Sequence, residues 1–497
     1  MAGDPERAPR LQAVNRAQLQ FRMVDVEALI PEDHPARAIW EFVGRLDLRR
    51  YTEPIRAVEG GAGRPALDPH LLVSVWLYSY SRGISSARAI ERLCAHDPAY
   101  QWLTGCEGIS AHTLSDFRVA HGDALHEVFI QSLGVLSAAG LITLERVMQD
   151  GTKIRASAAA KQFRRQARIR ESLRIARAHV EALEGRPDED GSRQQQRARE
   201  RARREKVARL EAALQEFEAL AAAHSTVTRV STTDPDARVM KQADGGSAPS
   251  YNMRLSTDAA HGVVVGVEVT QAGSDYRQLL PGLTRVEQNV GQPPAQMGVD
   301  GGYLSSDNIV AMAARGVELV GPAPTEAAAH TSRTTSYHRR GVAPAYEASQ
   351  FVYDAASNTY QCPQGQRLHY DATYVRDGTQ RIRHKARAAE CQACPAKPLC
   401  CPGNREGRSI ERREHIAEVR AFREKMQTEA ARAIYRQRAQ VAEFPHLWVK
   451  AKLGLRQFRV RGLRNVRLEA LWAVLTYNIQ QWIRLCWRPT LAAAPST

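Results

Sequence analysis

The chain has 497 residues, with 69 Lys and Arg against 54 Asp and Glu, a formal charge of +15 and an isoelectric point near 9.6. That length supports more than one domain with ample core, and the positive balance points to a polyanionic partner, most simply nucleic acid. No apolar run reaches the length of a membrane span, the opening MAGDPERAPRLQAVNR has no apolar stretch of the signal-peptide kind, and in the cytoplasm this implies, eight cysteines are not a disulfide framework.

Residues 1–20 are polar and read as loose chain. From about 25 to 140 the pattern is helical. Ala36, Ile39, Trp40 and Val43 step by helical intervals. Gly63-Arg64-Pro65 punctuates. Asp68-Pro69 opens a helix whose apolar face is Leu71, Leu72, Val75 and Trp76. Ile84-Ser85-Ser86 begins another helix through Ile90 and Leu93. Ser110 or Thr113 caps one carrying Leu114, Phe117 and Arg118. Short helices at this spacing suit a helix-turn-helix bundle within a DNA-binding domain, residues 1–140, though a small domain that only packs has the same pattern.

The run 141–149 reads as a strand delivering Asp150. A helical hairpin, 157–224, then interrupts. Ile169, Leu173, Ala176, Val180 and Leu183, and then Val207, Leu210, Leu214, Phe217 and Ala221, keep near-heptad spacing around the turn EGRPDEDGSR, as in an antiparallel coiled coil. Its outer face is basic, with sixteen Lys and Arg against eight acids across 161–210. Such a face is ordinarily solvated, and as a unit it could lie along DNA or another subunit.

Strands follow at Tyr251–Ser256 and Val263–Val269 around the turn Ala259–Gly262, then a helix at Gln278–Gln288. A short strand, Gln296–Val299, presents Asp300. Ser305-Ser306-Asp307 caps a helix over 307–314, and Val317–Val320 is a further strand. Neighbouring central strands would set Asp150 and Asp300 side by side.

Residues 324–412 form a second, polar insertion with Cys362, Cys391, Cys394, Cys400 and Cys401. Cys391-x₂-Cys394, with Cys362 and Cys400, supplies four sulfurs that could hold Zn²⁺. Four free thiols fit the same spacing. The last segment, 413–487, is helical, with Tyr435 and Glu443 on roughly one face and Arg436 beside them. Pro445 must break or restart the helix, so counting alone does not place Lys450. Lys450, Lys452, Arg456, Arg459, Arg461, Arg464 and Arg467 fall within eighteen residues that hold no acid, a segment that repels itself unless phosphates neutralise it. Leu468, Leu471, Trp472, Leu475, Ile479 and Trp482 make an apolar stripe that closes the core.

Asp150, Asp300 and Glu443 therefore stand where acids could hold paired divalent ions for phosphodiester chemistry. The stretches QDGTKIRA (149–156), TDPDARVMKQADGGSAPSYN (233–252), GVDGGYLSSDNI (298–309) and YRQRAQVAEFPHLWVK (435–450) followed by LRQFRVRGL resemble DDE-class insertion-sequence transposases. The closest group is the one with a Tyr-Arg-Glu-Lys signature around the last acid. The resemblance runs from about Asp25 to about Leu485.

The resemblance implies a mixed α/β fold. An RNase H-like core (141–323 and 413–487) would carry a helical N-terminal domain, the inserted helical hairpin and the inserted Cys-containing segment, a zinc ribbon if metal is bound. It implies Asp150, Asp300 and Glu443 as the catalytic, Mg²⁺- or Mn²⁺-binding triad. It places Tyr435, Arg438 and Lys450 against DNA, and the charge of Lys452, Arg456, Arg459, Arg461 and Arg464 adds phosphate contacts beside them. Glu443 and Lys450 keep the family's Glu-x₆-Lys spacing, whereas Arg438 lies one residue further from Glu443 than the usual pattern. The expected partners are double-stranded DNA, as terminal inverted repeats and target, and further copies of the chain in a dimer or higher assembly on DNA. The expected location is the cytoplasm, at the nucleoid. A nuclease that cleaves without joining, or a domesticated copy that only binds DNA, fits the same residues.

Overall fold

The computed structural model describes residues 23–57, 65–184, 193–223, 228–322, 341–376, 379–415 and 417–493. Residues 1–20, the Gly63-Arg64 punctuation, most of the hairpin turn and the start of the cysteine segment lie outside them. The N-terminal helices begin where their caps predict. Asp68 accepts the N–H of His70 at 2.8 Å and starts α2 (Pro69–Ser81). Ser110 accepts that of Thr113 at 3.1 Å and starts α5 (Ala111–Ala120). Around them stand α1 (Pro35–Val43), α3 (Ala87–His96), α4 (Pro98–Thr104) and α6 (Gly122–Ala138). α2 has no polar face: Leu72 through Tyr80 are all buried, which marks it as a central helix and not a surface one.

The central sheet is built from β1 (Arg146–Arg155), β2 (Arg238–Lys241), β3 (Ser247–Asp258), β4 (Val264–Thr270), β5 (Gln296–Gly298) and β6 (Glu318–Val320). β3 pairs antiparallel with β1 on one side, and with β2 and β4 on the other. β5 pairs parallel with β1, and β6 parallel with β5. With the short edge strand β2 set aside, the order is third, second, first, fourth, fifth. That is the arrangement of an RNase H-like core, and the fold is mixed α/β with a helical N-terminal region. Helices α9 (Leu279–Val290) and α10 (Ser306–Ala314) connect the later strands.

β1 begins later than its apolar run suggests. Residues 141–144 are not strand, because Asp258 takes their backbone instead: its Oδ2 accepts Thr143 N at 3.1 Å and Leu144 N at 2.8 Å. The strand then continues to Arg155, so Asp150 is in its middle and not at its end.

The hairpin forms as the heptads indicate. Helices α7 (Gln166–Glu184) and α8 (Arg193–Ala223) bury Ile169, Leu173, Ala176, Leu210 and Ala213 between them. Arg177–Glu211 at 2.6 Å and Arg170–Glu218 at 3.3 Å flank that seam. The cysteine segment is a separate antiparallel sheet of β7 (Val352–Asp354), β8 (Thr359–Gln361), β9 (Arg367–Arg376), β10 (Thr379–Ala386) and β11 (Ser409–His415), in chain order across the sheet.

Four C-terminal helices complete the chain's main body: α11 (Ala417–Lys425), α12 (Glu429–Arg436), α13 (Phe444–Ala451) and α14 (Leu463–Trp482). α14 is the axle. Phe42 packs edge-on against Trp482, with centroids 5.0 Å apart, and Trp472 Nε1 donates to Arg118 O at 3.2 Å. On its other side Asn478 pairs both backbone groups of Val264, at 2.9 and 2.8 Å. One continuous apolar core therefore runs from the N-terminal helices through α14 to the sheet. The Thr-Asp-Pro-Asp stretch (233–236) anchors this helix. Asp234 accepts Gly462 N at 3.1 Å and Tyr251 Oη at 2.8 Å, and Asp236 accepts Leu463 N at 2.7 Å, supplying acceptors to a helix start that carries orphan donors.

β5 owes its position to a missing side chain. A Cβ on Gly298 would fall inside the van der Waals envelope of Met148 Sδ, its β1 neighbour. Gly298→Ala is expected to destabilise the fold by about 1–3 kcal/mol, the usual cost of overpacking. Urea denaturation followed by tryptophan fluorescence checks this; an unchanged midpoint would show that Met148 has room to move.

Candidate active site

Asp150 and Asp300 are brought together by strand register. Parallel pairing of Arg146 with Gln296, Val147 with Met297 and Met148 with Gly298 ends there, and each chain carries its acid two residues further on. β1 continues, paired with β3, where Asp150 faces Leu255. β5 has ended, and Asp300 sits in a tight turn whose Gly302 N–H binds its Oδ1 at 2.8 Å. The two carboxylates thus flank a gap at the end of the parallel pair.

Glu443 reaches the same gap from the C-terminal helices, through an irregularity. Residues Ala439–Glu443 form a turn of π-helix joined directly to α13. A π-turn holds one more residue than an α-turn. It absorbs the extra residue between Arg438 and Glu443, and the two side chains meet at 3.0 Å. The other guanidinium nitrogen of Arg438 lies 3.5 Å from Asp150 Oδ2. Arg438 is thus a cation held between two acids. Pro445 neither breaks nor restarts the helix: it falls at the first turn of α13, just past the π-turn, where a missing N–H is tolerated.

Electrostatics confirm the convergence. Burial is the main reason that the Asp150 carboxyl is pushed up to about 6. The Gly151 N–H and Arg438 pull it down, and the negative charges of Asp300 and Glu443 push it further up. Tyr435 lies within electrostatic reach of the Arg438 guanidinium. Lys450, half-buried, donates through Nζ to Thr152 Oγ1, two residues along β1 from Asp150; burial, then Arg456, lowers its pKa. Arg436, expected beside the acids, instead pairs with Glu429 on the exposed side.

The basic run does not act as one patch. Lys452, Arg456, Arg459, Arg461, Arg464 and Arg467 are exposed, but Arg461 donates to Ser157 O at 3.2 Å and Arg467 to Val269 O at 3.1 Å. Among the described residues no group of three His, Cys, Asp or Glu side chains stands at metal-holding spacing. This holds for the acids, with Arg438 between two of them, and for the cysteines. The donor set is nonetheless right for a hard ion: carboxylate oxygens, with the charges of Asp300 and Glu443 adding to the burial that raises Asp150.

Sequence reasoning missed His446. It is buried and donates Nε2–H to the carbonyl oxygen of Asp150 at 3.1 Å. Burial holds it near 4, so it stays neutral. It fixes the backbone that carries the acid. The signal was its place one helical turn before Lys450, which puts both on one face. Also missed was a polar cluster behind β1. Asn252 donates to Asp275 at 2.6 Å, Lys153 lies 3.8 Å from the same carboxylate, and the Tyr303 hydroxyl is buried beside them.

Two family models match the chain. A transposase DDE domain matches residues 361–483, which include Glu443, Lys450 and α14. A transposase domain matches residues 24–120, the N-terminal helices. Asp150 and Asp300 lie between the two. No curated protein matches the chain. Among the described residues no helix is long and apolar enough to cross a membrane. Both ends of the chain thus match transposase domains, around a sheet with the strand order of an RNase H-like core.

Proposed function

We propose that this protein cuts DNA at the ends of its mobile element and joins the freed 3′ ends to target DNA, with Asp150, Asp300 and Glu443 as the ligands of Mg²⁺ or Mn²⁺. The observation that carries this is the convergence of three acids from β1, the turn after β5 and the π-turn on a single gap. When bound, the ions would stabilise charge on the scissile phosphate and lower the pKa of the attacking oxygen.

The chain's own residues do the rest. His446 and the Gly151 N–H hold Asp150 in place. Arg438 neutralises Asp150 and Glu443 while no metal is present, and its guanidinium is the group best placed to take a DNA phosphate once the ions have claimed those carboxylates. Lys450 stands by Thr152 at the same edge. The exposed cations from Lys452 to Arg464 supply affinity without sequence information. Recognition of the element ends falls to the N-terminal helices, which α14 ties to the catalytic sheet, and cleavage and joining take place in a dimer or larger assembly on DNA.

The test is to incubate full-length protein with labelled native element ends and Mg²⁺ or Mn²⁺ and to map nicks and joined products. Asp150→Asn, Asp300→Asn and Glu443→Gln should each abolish both products, by several kcal/mol of lost charge stabilisation, and leave end binding nearly unchanged. An Asp150→Asn protein that still cuts at more than a small fraction of the native rate would refute the triad. Nicks with no joined product would identify a nuclease.

Neutralising Arg456, Arg459 and Arg464 together should weaken binding to every DNA sequence alike and flatten its salt dependence. Loss confined to element ends would move base recognition to this segment.

Asp150 also sets a pH dependence. Its folded pKa lies above the ordinary 3.8, so the folded chain binds this proton more tightly than the unfolded one. The stabilisation is full below about pH 4 and is lost as pH rises through about 6. Metal affinity should show the opposite trend and fall as pH drops below about 6. At pH 7 without metal, Asp150→Asn should raise stability by on the order of 2–3 kcal/mol, from about two pKa units. A thermal midpoint in EDTA no higher than that of the native chain would contradict the strain assigned to the ionised carboxylate.

A further inference from the structure

The cysteine-containing sheet β7–β11 has little apolar core. Among its described residues the buried apolar cluster is Phe351, Leu368, Ala386 and Ile410. Units this small and polar usually need a covalent or metal staple. No disulfide supplies one, since the cysteines are all free.

The sulfurs instead gather at one place. Cys362, Cys391, Cys394, Cys400 and Cys401 line a single cavity of about 20 Å³ beside that cluster. Three of them, Cys362, Cys391 and Cys394, sit at backbone turns. Cys362 opens a tight turn: its carbonyl accepts Gly365 N at 2.8 Å, its N–H donates to Gln366 O at 2.8 Å, and Gly365 has φ +82°. Cys391 ends a short helix, Ala388–Gln392, and its Sγ accepts the N–H of Arg408 at 3.4 Å. Gly407, just before that N–H, has φ +88°, a left-handed conformation that a side chain would strain. Cys394 caps the next turn, its carbonyl accepting Lys397 N at 3.1 Å. Cys362, Cys391 and Cys400 pack together against the apolar cluster. The Arg408 N–H donated to Cys391 Sγ is the kind of outer hydrogen bond that orients a sulfur ligand.

We propose that Cys362, Cys391, Cys394 and Cys400 hold one structural Zn²⁺ that staples this sheet, with Cys401 outside the set. Four thiolates in a closed tetrahedron are the ordinary ligand set of structural zinc. Among the described residues the sulfurs do not stand at metal-holding spacing, so the site requires rotation of the short cysteine side chains around the cavity. The metal is separate from the carboxylate site, and its loss would unfold this sheet without touching β1 or β5.

The experiment uses the full-length chain purified without chelators. Elemental analysis should give about one zinc per chain, as a four-thiolate site requires, and exchange with Co²⁺ should give the intense absorption of a tetrahedral thiolate complex. Cys391→Ser with Cys394→Ser, and Cys400→Ser alone, should lose the metal and render residues 341–415 protease-sensitive. Cys401→Ser and the exposed Cys106→Ser should keep it. If the double variant is insoluble, zinc content and the cobalt spectrum of the native chain decide alone. Native protein that holds no zinc and gives no thiolate–cobalt absorption overturns the proposal. So does zinc that persists in Cys391→Ser/Cys394→Ser, or that is lost in Cys401→Ser and kept in Cys400→Ser.

Discussion

Three backbone pairs between β1 and β5 determine where Asp150 and Asp300 meet. They run from Arg146–Gln296 to Met148–Gly298 and then stop, and the acids follow on both chains at the same offset. Parallel strands keep their side chains in step, so equal offsets give adjacent carboxylates without any further device. A slip of one residue would turn Asp150 to the opposite face. Much else in the fold fixes that register: Asp258 ties down the entry to β1, Gly298 makes room for Met148, and His446 holds the Asp150 carbonyl.

The third acid arrives by a different principle. Helices place side chains by rotation, and one added residue would swing Glu443 by about 100° if the helix stayed regular. The π-turn takes up the addition, and Arg438 still reaches both Glu443 and Asp150. The arrangement concentrates negative charge in a partly buried place, which is why Asp150 clings to its proton. A guanidinium lodged between two carboxylates is the chain's own answer to that repulsion. It also explains how the folded protein tolerates such a cluster.

Much of this was legible in the sequence because it depends on local rules. Caps at Asp68, Ser110 and Ser305, the hairpin heptads, and the strand-turn-strand around Gly262 all follow from nearest neighbours. The acids could be named because each ends or interrupts a patterned run. What stayed hidden depends on long-range contact. The start of β1 is set by Asp258, more than a hundred residues away. α2 looked amphipathic and is buried all round, because α14 covers the face that would otherwise be exposed. The continuity of the helix past Pro445 could not be counted from the sequence, since an α-helical count assumes 3.6 residues per turn throughout. The cysteines were visible as a spacing, but only the fold shows that five of them share one cavity.

The partnership of α14 with the N-terminal helices has a consequence for synthesis. Arg118 and Trp472, which meet in the shared core, are 354 residues apart. At about 5–20 residues per second a ribosome takes roughly 20–70 s to span that distance. Throughout that interval Trp76, Phe42 and their neighbours have emerged, and the helix that covers them has not yet been made. Over most of its translation the nascent chain therefore leaves this apolar surface uncovered by its partner helix. Any chain truncated before α14 exposes this apolar surface permanently.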